Sequence, residues 1–123
     1  MTIQIDEPTD FLGNIFAKII ASYLNKTASP PMIETWKMRI VLVTDLYPIS
    51  MLFENGLKIQ RGEIENATLR LTSTMTTIVQ IAKGDVSMIG AVLRRKIKIR
   101  GLIRHPIAAL RFYRLINKAI GGG

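Results

Sequence analysis

His105 is the one histidine of the chain, and it stands in "IRHPI" between Arg104 and Pro106. General-base or nucleophilic catalysis needs an imidazole held against a hydroxyl or thiol and oriented by a third group. The chain has no cysteine, and no acid follows Asp85, so nothing close in sequence supplies those partners. Glu63 and Glu65 are two apart beside Gly62, and that spacing next to a turn describes an ordinary solvated pair. No Gly-rich dinucleotide loop, Walker loop or HExxH zinc pattern occurs. The residues read as a non-enzyme without metal or cofactor, with His105 a solvated loop side chain.

Charge offers binding chemistry instead. The stretch "VLRRKIKIRGLIRHPIAALRFYRLINK", residues 92–118, holds nine Lys or Arg and no acid. Residues 1–85 hold 8 basic and 9 acidic side chains, whereas 86–123 hold 9 basic and none acidic. The net charge of +8 therefore belongs to the last third of the chain. Such asymmetry points to an anionic partner or surface.

What must position those residues is a single domain. Its 123 residues suit one unit, and 48% hydrophobic against 21% charged residues is enough to fill a core. No unbroken apolar run is longer than "IVLV" at 40–43, far short of the ~20 residues that span a bilayer. The acidic start "MTIQIDEPTDF" lacks a basic n-region, so the expectation is a soluble, cytoplasmic protein.

Apolar pairs four apart, from Phe11 and Leu12 to Tyr23 and Leu24, predict a first helix, with Asp6, Glu7 and Asp10 at its positive end. "ASPPMIE" then breaks the chain. "MRIVLVT" predicts a strand covered on both faces or nearly so. "ISMLFENGLKIQRG" predicts a hairpin with a two-residue turn at Asn55-Gly56, pairing Leu52 with Ile59 and Phe53 with Lys58. "ATLRLTS" turns Leu69 and Leu71 inward, and "KIKIR" turns Ile97 and Ile99 inward with Lys96, Lys98 and Arg100 outward.

Between them lie two short helices. Met75, Ile78, Val79 and Ala82 stripe the first, capped by Ser73 or Thr74 and stopped by Gly84. Met88, Ile89, Val92 and Leu93 stripe the second, capped by Asp85 or Ser87. A last helix from about Ile107 to Lys118 sets Ala109, Phe112, Tyr113, Ile116 and Ile120 against Arg111, Arg114 and Lys118 on the opposite face. A flexible tail is expected at 121–123. The order predicts an α+β domain over 1–123: a five-stranded, mostly antiparallel sheet with helices covering one face. Pattern alone does not separate a packed core from an apolar cavity under those helices.

The run "ATLRLTSTMTTIVQIAKGDVSMIGAVLRRKIKIRGLIRHPIAALRFYRLIN" resembles the sterol carrier protein type-two domain, the non-specific lipid-transfer family. Ala67 begins the strand, Gly84 ends the first short helix, and Lys96-Ile97-Lys98-Ile99-Arg100-Gly101 matches the Lys-hydrophobic-Lys strand that closes on Gly. Thr68 replaces the family's usual Asp, Arg95 its Gly, Arg94 its frequent Gln, and Leu102 its Asp or Asn. The resemblance implies an apolar tunnel between sheet and helices that holds a fatty acid, a fatty acyl-CoA or another lipid, without catalysis. It assigns Ile78, Val79, Ala82, Met88, Ile89, Val92, Leu93, Phe112 and Ile116 to the lining, and Arg94 to a headgroup contact. Some relatives present isoprenoid-quinone precursors to biosynthetic enzymes, which is the alternative function. A nucleic-acid module is the weaker alternative, since the sheet lacks surface aromatics and no recognition motif occurs. Arg111, Arg114 and Lys118 are expected to meet an anionic membrane surface transiently, without insertion.

Overall fold

In the computed structural model, which describes the backbone of residues 3–5, 11–27 and 33–121, six strands form one sheet. The β-branched run makes β2 (Lys37–Val43), flanked by β3 (Ile49–Glu54) and β5 (Leu69–Thr72). Beyond β3 come β4 (Leu57–Arg61) and β1 (Ile3–Ile5), and beyond β5 comes β6 (Lys98–Arg100). Three pairings are antiparallel, β2–β3, β3–β4 and β5–β6, while β1–β4 and β2–β5 are parallel. The five strands expected from sequence omit β1. Its three residues are too few to carry a period, and backbone pairing with Leu57–Ile59 defines the strand.

Alternation decides which side chains the sheet buries. Met38, Ile40 and Leu42 of β2, Met51 and Phe53 of β3, Ile59 of β4 and Leu71 of β5 are all buried. The register sets them in rows, with Ile40 between Met51 and Leu69 and Leu42 between Ile49 and Leu71. Val41, on the other face, is buried too, as expected for "IVLV".

The same burial corrects the hairpin. A two-residue turn would set Phe53 opposite Lys58, a buried ring against an ammonium. Phe53 instead faces Leu57 and Met51 faces Ile59, so Glu54, Asn55 and Gly56 form a three-residue loop. Asn55 and Gly56 keep positive φ, 54° and 124°, as turn residues should.

The helices bury their apolar faces in one cluster with the inward strand residues. Helix α1 (Phe11–Lys26) contributes Phe16, Ala17, Ile20 and Leu24. Asp6, Glu7, Asp10 and residues 28–32 of the Pro-containing break lie outside the described residues. Helix α2 (Met75–Ala82) starts at Thr74, whose Oγ1 accepts from the Thr77 amide at 3.2 Å, and Asp45 Oδ1 accepts from the Met75 amide at 2.8 Å. Helix α3 (Met88–Leu93) is capped by Ser87, whose Oγ accepts from the Gly90 amide at 3.0 Å. Helix α4 (Pro106–Gly121) opens on Pro106, whose missing N–H costs nothing there. Gly121, read as tail, is helical.

Two departures from the resembled family find a physical account. Thr68 Oγ1 accepts from the Arg39 amide at 3.0 Å while the Thr68 amide donates to the Arg39 carbonyl at 2.7 Å, which seats β5 beside β2. Arg95, where the family places Gly, holds φ at 60°.

Backbone conformation yields two expectations for urea unfolding midpoints. Gly101 has φ +95, and a Cβ on it would overlap the Thr68 carbonyl oxygen, whereas Gly84, at φ +82, has nothing within 4 Å. Gly101→Ala should therefore destabilise by about 2–4 kcal/mol and Gly84→Ala by about 1 kcal/mol. Equal losses would rule out the Thr68 overlap as the cause. Arg95→Gly relieves a left-handed side chain and should stabilise by about 0.5–1 kcal/mol after the glycine entropy is subtracted; a loss of stability would show that the Arg95 side chain contributes more than its backbone strain removes.

Candidate functional site

Packing between the inward face of β5 and β6 and the helices leaves two apolar hollows of about 40 Å³ each. Strand alternation supplies the floor, Leu71 from β5, and the turn before β6 supplies Ile97. Met88 comes down from α3 and Phe112 from α4, and these four residues line both hollows. The first continues to Ile78 and Ile81 of α2, Phe16 of α1 and Ile116 of α4. The second continues to Val92 of α3 and to Ala109 and Tyr113 of α4. Ser73 Oγ at the margin donates to the Lys96 carbonyl at 3.1 Å, so the interior holds little that would fix a polar ligand.

Their size matters. A site that encloses a lipid spans about 300–1,000 Å³, several times what these hollows offer. The interior is a core with two small gaps, and an open tunnel is not formed in this conformation.

Of the lining residues expected from sequence, Ile78, Met88, Val92, Phe112 and Ile116 meet at the hollows. The inward reading of Val79, Ala82, Ile89 and Leu93 is corrected, since all four are exposed, Ile89 at 54% and Leu93 at 78%. Helix α2 instead turns Thr77 and Ile81 inward, and α3 turns Met88 and Ala91. Thr77 reads as polar in any hydropathy pattern, yet its hydroxyl lies 3.1 Å from Thr74 Oγ1 and its methyl can be buried. Ala91 is small enough for the following turn to fold back, and its carbonyl accepts from the amides of Lys96 and Ile97 at 2.8 and 3.3 Å. Each helix is thereby rotated from its expected stripe. Arg94 is exposed at the C-terminal end of α3, away from both hollows. Strand reading had already placed Leu69, Leu71, Ile97 and Ile99 inward; Ile81 and Phe16 were missed as lining.

The opposite side of α4 carries a second feature. Arg111, Arg114 and Lys118 are exposed, and with Tyr23, Trp36 and Leu115 they enclose a groove of about 350 Å³. The Arg111 guanidinium lies 5.8 Å from the centre of the Trp36 ring. Lys98 and Arg100 are exposed on β6, a different surface, and Lys96 precedes the strand in a turn. His105 is exposed, its amide donating to the Gly101 carbonyl at 2.8 Å. Glu63 forms an ion pair with Arg70, and among the described residues no three His, Asp or Glu side chains are grouped to hold a metal.

No protein-family profile and no curated protein sequence matches this chain. Comparison with solved structures does find likeness. The solution structure of sterol carrier protein domain 2 of Helicoverpa armigera matches at TM-score 0.66 and 17% identity, over 96% of this chain and 95% of its own. The UbiJ-SCP2 ubiquinone synthesis protein matches at TM-score 0.64 and 8% identity, over 93% of this chain and 96% of its own. The sec-alkylsulfatase Pisa1 from Pseudomonas sp. shares 22% identity over 52% of this chain at TM-score 0.46, and this chain spans 11% of its length. With near-complete mutual coverage at these TM-scores, the chain has the fold of a sterol carrier protein 2 domain.

Proposed function

We propose that this chain binds and carries a lipid, a fatty acid, fatty acyl-CoA or similar chain, between α2, α3, α4 and the sheet, and does no bond chemistry on it. One observation carries the reading: an apolar interior with gaps at its centre lies under an unusually thin cover. Helix α3 has six residues and buries only Met88 and Ala91, and α2 has eight and buries only Thr77 and Ile81. Elements with so little buried surface lie at the low end of local stability and open readily. A lipid chain would merge the two hollows across the wall formed by Leu71, Met88, Ile97 and Phe112, lifting α3 outward. A dozen buried methylenes at ~0.8 kcal/mol each give about 10 kcal/mol gross, enough to offset that opening and still bind in the micromolar range. With no fixed polar contact inside, chain identity is weakly specified. Likeness to the UbiJ-SCP2 ubiquinone synthesis protein favours a second reading, presentation of an isoprenoid-quinone precursor to a biosynthetic enzyme.

Organic extraction of the purified protein followed by mass spectrometry should recover a co-purified lipid, an acyl chain on the first reading and a prenylated ring on the second. Recovery of none, together with no calorimetric binding of oleate, palmitoyl-CoA or a prenylated phenol, would leave a plain packed core. Two tryptophan variants should then behave differently. Val92→Trp fills the second hollow and should weaken the recovered ligand at least tenfold. Ile89→Trp, at a residue 54% exposed, should leave affinity within about twofold. Equal effects of the two would place the ligand outside the hollows.

A further inference from the structure

Exposed apolar side chains are not scattered evenly over this molecule. Ile103 is 95% exposed, Ile107 is 67% exposed, and Leu110 is exposed beside them in the chain. Ile107 and Leu110, three apart, share one face of the first turns of α4, and Ile103 stands in the turn at Gly101–His105 that leads into the helix. Ile107 and Leu110 also form one end of the groove whose floor is Tyr23, Trp36 and Leu115. The rest of its rim is Arg111, Arg114 and Lys118, and Arg104 neighbours Ile103 in sequence. No acid occurs in the chain from 86 to 123.

We propose that this face docks on the anionic phospholipid leaflet of a membrane, with Ile103 and Ile107 inserted and one lipid phosphate held in the groove by Arg111, Arg114 and Lys118. Charge complementarity and the apolar ridge select that occupant together. Nucleic acid would use the cations but has no place for bare aliphatic side chains, and a soluble phosphate would leave the ridge in water. The half-buried Tyr23 of the floor suits the same boundary, since an amphipathic ring sits well between headgroup and acyl chain. Docking by charge alone, as read from sequence, is thereby extended to insertion at the start of α4. The inference goes beyond lipid carriage and does not depend on what the interior holds.

Vesicle co-sedimentation tests it, using phosphatidylcholine alone and an equimolar mixture with phosphatidylglycerol. Partition should be strong only on the mixed vesicles and fall as salt is raised. Arg111→Gln/Arg114→Gln should lower it at least tenfold, since each cation near an anionic leaflet contributes ~1 kcal/mol, about fivefold. Ile103→Asp, at a position almost wholly in solvent and so without consequence for folding, should lower it about tenfold, more than the about fivefold that one added negative charge explains. Glycerol phosphate in large excess should compete only weakly. Equal partition on both vesicle types, indifference to the double arginine variant, full displacement by glycerol phosphate, or tighter binding of an RNA oligonucleotide at the same salt would each overturn the proposal. Indifference to Ile103→Asp would overturn the insertion. Val92→Trp should leave vesicle partition unchanged, so that failure of interior binding and failure of docking are told apart.

Discussion

Phe53 and Phe112 meet edge to face, centroids 6.5 Å apart and planes at 78°, and this contact joins the sheet to α4. Phe53 sits near the end of β3, inward only because the hairpin register aligns it with Leu57. Its ring fixes how α4 crosses the sheet, and α4 in turn delivers Phe112 to the wall between the two hollows. On the other side Phe53 packs against Trp36 at 5.6 Å, and Trp36 underlies Arg111. Such aromatic pairs contribute roughly 0.5–1.5 kcal/mol each beyond the area they bury. One run of three rings thus ties the apolar interior to the cationic groove outside it.

Much of this could be read in the chain, and the rest could not for identifiable reasons. Strict alternation in "TLRLT" and "IKI" gave Leu69, Leu71, Ile97 and Ile99 as inward residues, because a period of two leaves no ambiguity even over three to five positions. Gly84 and the capping hydroxyls placed the helix ends, though the choice of Thr74 over Ser73 and Ser87 over Asp85 needed coordinates. The faces of α2 and α3 were misjudged because six to eight residues make barely two turns. In that span one buried Thr or Ala shifts the whole face, as Thr77 and Ala91 do. The hairpin misled by its strongest signal: Asn-Gly favours a two-residue turn, but the buried row Met51, Phe53, Leu57, Ile59 outweighs local turn preference.

The basic third of the chain also resolves into parts. Lys98 and Arg100 lie on the open side of the sheet edge, Arg94 and Arg95 at the turn after α3, and Arg111, Arg114 and Lys118 along α4. A count of charge in sequence treats these as one run. The fold separates them by a turn after α3 and another between β6 and α4, and the last group surrounds an indentation with an aromatic floor.

The sheet order has one more consequence. Its two edges are β1 and β6, each three residues long, or about 10 Å of strand. Unpaired strand edges are templates on which further chains assemble into fibrils, and short or lysine-bearing edges resist this. Beside β5, β6 presents Lys98 and Arg100 with only Ile99 between them. With so little edge backbone to pair, a molecule that keeps aliphatic side chains such as Leu93 and Ile103 bare to water can stay free of amyloid-type stacking.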